Sequence, residues 1–162
     1  MSQRGREVVT RWPHVLFLLL VAYTNDILYF CVMNSKSKGE LSEAIILAEL
    51  LKKGHSVAIP FGNNQRYDII IDDGTNLIKA QCKTARMVNG CISFNVASVN
   101  GFTGKRVSYQ GQIDVFLVYC ESTGLVYKIP ATMTGKSAMR LRVAKNNGGA
   151  TNNIKWAEDF IL

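Results

Sequence analysis

The segment Tyr67-Asp68-Ile69-Ile70-Ile71-Asp72, the polar stretch Asp73-Gly74-Thr75-Asn76 and the run from Leu77 to Thr84 constrain this chain more than any other part of it. β-Branched residues on both sides of a glycine-containing polar turn specify an antiparallel hairpin. Side chains alternate along a strand, so the register decides which of them meet. With Gly74-Thr75 as a two-residue turn, or Asp73 to Asn76 as a four-residue loop, Asp68 faces Gln81. Asp68, Gln81 and Lys83 then share one face, and Ile69, Ile71, Ile78 and Ala80 the other. With Asp73-Gly74 as the turn, Asp68 faces Lys79 and the alignment slips. In the first register the opposed Cβ atoms lie about 4.5–5.5 Å apart. A carboxylate, an amide oxygen and an ammonium meeting at a sheet edge can hold a hard cation beside a phosphate. An Asp between Tyr and three isoleucines is disfavoured in a strand unless it has such a task.

The neighbouring segments supply the rest of a sheet. Leu41, Ala44, Ile45, Ala48 and Leu51 recur at helical spacing, and Gly54 is a stop signal, so a helix is predicted over about Glu40 to Lys53 with that stripe inward. Ser56 to Ile59 reads as a short strand ended by Pro60. Cys91 to Val96 is another, and Ala97 to Gln112 reads as a connection. Val115 to Cys120 is nearly all apolar, as an interior strand covered on both faces should be. Leu125 to Ile129 follows the turn Glu121 to Gly124, and Pro130 ends it. The tail from Thr132 mixes cations with Asn and Gly, then closes with the amphipathic Ile154 to Leu162. One helix followed by a run of strands and mixed structure predicts an α+β or α/β fold around one sheet.

The chain has 162 residues, enough for one domain with a core of its own. Nineteen Lys and Arg against 12 Asp and Glu leave a net charge of +7, which favours a polyanionic partner, and a nucleic acid over a metabolite. Cys31, Cys82, Cys91 and Cys120 form no CxxC pair and sit mainly in apolar runs, so reduced, buried thiols in a cytoplasmic protein are expected rather than a zinc site. Residues 1–32 differ from the rest. Arg4, Arg6 and Arg11 precede the apolar stretch Val15 to Tyr23, which is patterned like a signal peptide without a convincing cleavage site. Thr24-Asn25-Asp26 interrupts it too early for a membrane span. Three readings stand: a membrane anchor over residues 15–32, an additional helix, or translation that starts at Met33. The last is preferred, with a domain over 33–162. Gly135-Lys136-Ser137 lacks the first glycine of a phosphate-binding loop, Asp72 and Asp73 read as turn residues, and His14 and His55 have no catalytic partner in view.

Lys38-Gly39-x-x-x-Glu43 opening a helix, then Asp68, then Gln81-x-Lys83, resembles the PD-(D/E)XK endonuclease superfamily. The strings from Pro60 to Asp68 and from Gln81 to Thr84 are most similar to its group I intron-associated homing endonuclease branch. Tyr67 replaces the motif's proline, a backbone feature, and Gln81 replaces its second acid, removing a charge that Glu43 would have to supply in part.

The resemblance implies a restriction-endonuclease-like core, a central mixed sheet flanked by helices. It implies a metal-dependent enzyme that hydrolyses phosphodiester bonds in double-stranded DNA, with Mg²⁺ as cofactor and Mn²⁺ as a substitute. Asp68 would be the principal metal ligand, Gln81 would offer its amide oxygen, the Cys82 carbonyl would complete the shell, and Glu43 would approach from the helix, in preference to Glu40. Lys83 would orient the attacking water and offset charge on the phosphate. Lys36, Lys38, Arg66, Arg86, Lys105, Arg106, Arg140, Arg142 and Lys145 are the candidate DNA contacts. One active site per chain and two strands to cut call for a homodimer or homotetramer. The alternatives are a Holliday junction resolvase or restriction-type nuclease of the same fold, or a non-catalytic DNA-binding relative whose site has decayed.

Overall fold

Helix α1 (Ser35–Lys52) opens the described part of the chain. The structure is a computed structural model that describes residues 33–62, 64–144 and 154–162. The expectations placed on residues 1–32 (Cys31 and His14 among them), on Asn63 and on Lys145 lie outside these residues. Helix α1 begins five residues before the predicted Glu40, because Gly39 in the first turns does not interrupt it. Its end is the predicted one: Gly54 takes φ +79°, and the N–H groups of Gly54 and His55 return to the Leu51 and Leu50 carbonyls at 2.9 and 3.1 Å. The buried face is Ser42, Ile46 and Leu50, not the stripe through Leu41, Ala44, Ala48 and Leu51. Leu51 is exposed. Apolar residues occupy nearly every position from Ala44 to Leu51 except Glu49, so periodicity alone could not choose the face.

Nine strands follow among the described residues: β1 (Ser56–Ala58), β2 (Ile69–Asp72), β3 (Leu77–Val88), β4 (Cys91–Asn95), β5 (Ala97–Val99), β6 (Arg106–Ser108), β7 (Val115–Cys120), β8 (Leu125–Pro130) and β9 (Ala138–Arg142). The β2–β3 pairing sets Ile69 opposite Ala80 and Asp72 opposite Leu77, the first of the two registers. Asp73 is a turn residue as expected, whereas Asp72 is the last residue of β2, its Oδ1 accepting the Gly74 N–H at 2.9 Å. Asp73 Oδ1 accepts the Thr75 and Asn76 N–H groups at 2.9 and 2.7 Å, and Gly74 sits at φ +86°. β2 starts at Ile69 rather than Tyr67, and β3 runs four residues past Thr84.

β3 is the common strand of the sheet. Along one side it pairs in parallel with β7 from Ala80 to Ala85, and β7 pairs with β8. Along the other side β2 pairs with Leu77 to Ala80, and β4 resumes only at Arg86. The β3–β4 turn is Asn89-Gly90, both at positive φ, the conformation a two-residue hairpin needs. Between Ala80 and Arg86 that side of β3 has no strand partner among the described residues. The sheet is mixed, as the resemblance implies, and one α-helix rather than several packs on it among the described residues. No described helix is long and apolar enough to cross a membrane.

The two sides of the sheet carry separate apolar clusters. Ile46 and Leu50 of α1 meet Ile69, Ile71, Ala80, Cys82, Val115, Leu117 and Val126. On the other side Phe116, Val118, Cys120, Tyr127 and Ile129 meet Phe94, Met139 and Leu141. β7 feeds both, which is why it is apolar throughout. β5, β6 and β9 were not foreseen. β9 alternates exposed Arg140 with buried Met139 and Leu141, and its cations made it read as a charged tail. The end of the chain is anchored by bridges from Ile161 to Tyr127 and from Trp156 to Arg142.

Candidate active site

Asp68 stands just before β2, beside the unpaired side of β3. Its N–H donates to the Ala80 carbonyl at 2.9 Å, and its carboxylate does what a strand would otherwise do: Oδ2 accepts the Cys82 N–H at 2.7 Å. The Gln81 amide nitrogen donates to the same Oδ2 and, at 3.3 Å, to the Cys82 carbonyl. Gln81 is 7% exposed and one of two buried polar side chains among the described residues. Burial raises the Asp68 carboxyl above its ordinary pKa, while the Cys82 N–H, Lys83 and Gln81 hold it back. The Cys82 thiol is pushed well above its usual range, by burial first and then by Asp68 and Glu43, so it stays a neutral core group.

Lys83 lies two residues along the same face. Its Nζ donates to the Tyr109 hydroxyl at 3.2 Å and sits 4.8 Å from the ring centroid. Tyr109 is buried, and its ring packs edge-on against Phe116 at 5.6 Å. The Arg66 guanidinium stacks on Tyr109 at 4.1 Å. Arg66 also donates to Gln112 Oε1 at 2.7 Å, Ser98 Oγ at 2.8 Å and the Ser108 carbonyl at 3.0 Å. This arginine therefore fastens the segment entering Asp68 to the β5–β6 hairpin, a role distinct from the DNA contact expected of it.

Helix α1 is fixed to the site by hydroxyls. Ser42 Oγ donates to the Lys38 carbonyl at 2.8 Å and lies 2.7 Å from Thr84 Oγ1, one residue past Lys83. The next helix residue is Glu43. One side of it faces solvent, and the buried side raises its carboxyl, with Asp68 adding repulsion, Lys83 opposing it and Glu40 adding a little more. Glu43 is thus within electrostatic reach of both Asp68 and Lys83. Glu40 is exposed, 3.8 Å from Lys36 in an i,i+4 ion pair, so the helix offers Glu43 and not Glu40 to the site. No group of three or more His, Cys, Asp or Glu gathers among the described residues. A cation here would rest on two carboxylates, both raised in pKa, supplemented by the neutral oxygens of Gln81 and Cys82. Hard oxygen donors of this kind suit a hard divalent ion.

The expected DNA contacts fall into groups. Arg86 opposes Ser93, and Ser93 opposes Arg140, so the two arginines share one sheet face in a row beginning beyond Thr84. Arg142 lies one pair further along β9 on that face, opposite Cys91. A groove of about 310 Å³ runs along it, lined by Thr84, Arg86, Ser93 and Asn95. Lys105 and Arg106 are exposed on the hairpin, Lys36 is exposed on α1, and Lys38 is half-buried there. No acid occurs between Asp73 and Asp114, so β3, β4 and the hairpin form an uninterrupted basic stretch. The sequence alone assigns no role to Ser42, Thr84 or Tyr109. Their partners are distant in sequence, and the one local sign was Ser42 at i−4 from Ile46. Cys82 and Cys120 are buried free thiols as expected, and Cys91 is half-buried.

Comparison with solved structures finds a similar fold in a bacterial homing endonuclease, I-Ssp6803I, with a TM-score of 0.64 and 22% identity over 80% of this chain and 89% of that one. No curated protein sequence matches the chain. The family model for the PD-(D/E)XK endonuclease matches residues 33–162, the stretch that holds α1, the sheet and every residue of the site described above. The chain belongs to the PD-(D/E)XK endonuclease family.

Proposed function

We propose that this endonuclease cuts double-stranded DNA by Mg²⁺-dependent hydrolysis and serves as a homing endonuclease associated with a group I intron. The observation that carries the chemistry is the convergence of Asp68, Gln81, the Cys82 carbonyl and Lys83 on the unpaired side of β3, with Glu43 in electrostatic reach. The homing role rests on the resemblance of residues 60–68 and 81–84 to the intron-associated branch and on the likeness to a bacterial homing endonuclease. The enzyme domain is taken as residues 33–162, matching the extent of the family model, and the site of action as the cytoplasm.

Asp68, Glu43, Gln81 and the Cys82 carbonyl would hold the ion, with Mn²⁺ as a substitute. When bound, a divalent ion supplies charge against the phosphate oxygens and a water of lowered pKa. The residues of the chain do the rest. Lys83 orients the attacking water and offsets charge on the phosphate. Tyr109 holds the Lys83 amine in place, and Ser42 and Thr84 keep Glu43 on the site. Gln81 turns its amide over to present oxygen, since its nitrogen now lies between the two oxygens that the ion would use. The row of Arg86 and Arg140, continued by Arg142, takes phosphates of the duplex. Two strands to cut and one site per chain imply at least a homodimer.

The test compares wild type with Asp68→Ala and Lys83→Ala on plasmid and synthetic four-way-junction DNA in MgCl₂. Both variants should lose cleavage and keep DNA binding measured in CaCl₂. Equal cleavage by wild type and Asp68→Ala ends the reading. Preference for the junction over any linear duplex would redirect it to a resolvase. Wild type that neither nicks DNA nor responds to Mg²⁺ would make the chain a non-catalytic binder.

A further inference from the structure

The β5–β6 hairpin carries a large apolar side chain where solvent alone surrounds it. Phe102 at its tip is 100% exposed. The tip is not loose. Asn100 Oδ1 accepts the N–H groups of Phe102 and Thr103, both at 2.9 Å; the Asn100 N–H donates to the Lys105 carbonyl at 2.8 Å, and its carbonyl accepts from Gly104 at 2.9 Å. Gly104 makes the return at φ +65°. An ordered turn that pushes a phenyl ring outward forgoes the burial that ring would gain elsewhere. The next two side chains after Gly104 are the exposed cations Lys105 and Arg106, and the hairpin contains no acid. Its base is tied to the catalytic face through Arg66 and Tyr109, which reaches Lys83.

From this geometry we propose that the β5–β6 hairpin is a DNA-distorting element, with Phe102 wedging into the base stack of the DNA bound at the site and Lys105 and Arg106 on the flanking phosphates. This rests on the DNA endonuclease reading and extends it to a defined contact. β-Ribbons reach DNA through either groove, and phenylalanine is among the side chains that part base steps when inserted from the minor groove. The tip stands four residues beyond Ser98, at most roughly 13 Å at strand rise. The surrounding basic stretch favours DNA over a protein as what Phe102 meets.

The test uses the full chain and needs no knowledge of the target. Relaxed closed-circular plasmid is incubated with protein in EDTA, resealed by a topoisomerase that needs no metal, and its linking number read on a gel. Wild type should lower the linking number in proportion to bound protein. Phe102→Ala at matched occupancy should lose most of that change, about fivefold, and Phe102→Trp should keep it. Binding by Phe102→Ala should weaken about five- to a hundredfold, as for loss of one base–aromatic stack. Equal linking change by Phe102→Ala and wild type, or none by wild type, overturns the proposal. So does a changed sedimentation coefficient for Phe102→Ala with unwinding intact, which would place Phe102 between chains. Asp68→Ala runs alongside: if it still cuts DNA in Mg²⁺ the hydrolytic reading falls, while its linking-number result continues to decide the wedge.

Discussion

Gln81→Glu restores the second acid of the family pattern, and the structure says what this should do before any DNA is added. In the wild type the Gln81 amide donates to Asp68 Oδ2, which also accepts the Cys82 N–H at 2.7 Å. A glutamate cannot donate, and two carboxylates would meet where an amide and a carboxylate now do. At about 4 Å and an effective dielectric near 20, their repulsion costs about 4 kcal/mol. Keeping one of them protonated at pH 7 instead costs about 3.7 kcal/mol for an ordinary glutamate. Asp68 is partly open to water, which trims either figure to roughly 2–3 kcal/mol. For a domain of this size that lowers the melting temperature by roughly 8–12 °C. The sign with pH follows from linkage: the paired carboxyl has a raised pKa in the folded state, so the penalty is absent below about pH 4 and grows as pH rises towards that value. A divalent ion should reverse it, since two adjacent carboxylates bind such an ion better than a carboxylate and an amide. Melting curves by circular dichroism at pH 7.5 and pH 5, in EDTA and in millimolar MgCl₂, measure all three effects. Equal melting in EDTA at pH 7.5, a deficit that widens on acidification, or no extra gain from Mg²⁺ would refute the reasoning.

Tyr109→Phe removes the hydroxyl that holds Lys83 and leaves the Arg66 stack in place. Losing a hydrogen bond to a charged group of about 1.5 kcal/mol should slow single-turnover cleavage about tenfold, with no further loss in a Lys83→Ala background. The Asp68 and Glu43 carboxyls are raised, chiefly by burial, and a cation takes only their ionised forms. Mn²⁺ affinity should therefore fall as pH drops through their raised values, and calorimetry in two buffers should record more protons released as the starting pH is lowered from 7.5. By the same linkage the metal-free protein should gain stability from these two groups as pH falls through their raised values. Ser42→Ala removes the contact with Thr84 and should cost about 1 kcal/mol, read as a lower urea midpoint at unchanged slope.

Much of the site was legible because it depends on one hairpin. The alternation of β2 and β3 narrowed the hairpin to two registers, and the pairing takes the one that brings Asp68 to Gln81 with Lys83 on the same face. The apolar run Val115 to Cys120 identified the interior strand to the residue. What escaped was of two kinds. The inward face of α1 could not be chosen, because isoleucine, leucine and alanine surround the helix on most sides and a serine turned out to belong to the core. The three-residue strands β5 and β6, and the arginine-bearing β9, form through tertiary pairing rather than local preference. Tyr109, Thr84 and the structural use of Arg66 act across separations of 26, 42 and 46 residues, and no local pattern encodes such contacts.

The gap in the pairing of β3 sets a rule for how this chain can change in length. Asp68 completes the edge of the strand with its side chain, so its position is counted through the turn from Asp73 to Asn76. β3 itself is held by β7 and cannot follow. Deleting one residue from that turn would carry Asp68 to the opposite side of the sheet, towards Ile46 and Leu50 of α1, and turn Ile69 and Ile71 away from them. Deleting or inserting two would return its carboxylate to the correct side, displaced by one pair. Length variants in this turn should therefore be graded by parity, with odd changes costing the fold and even ones costing only the site.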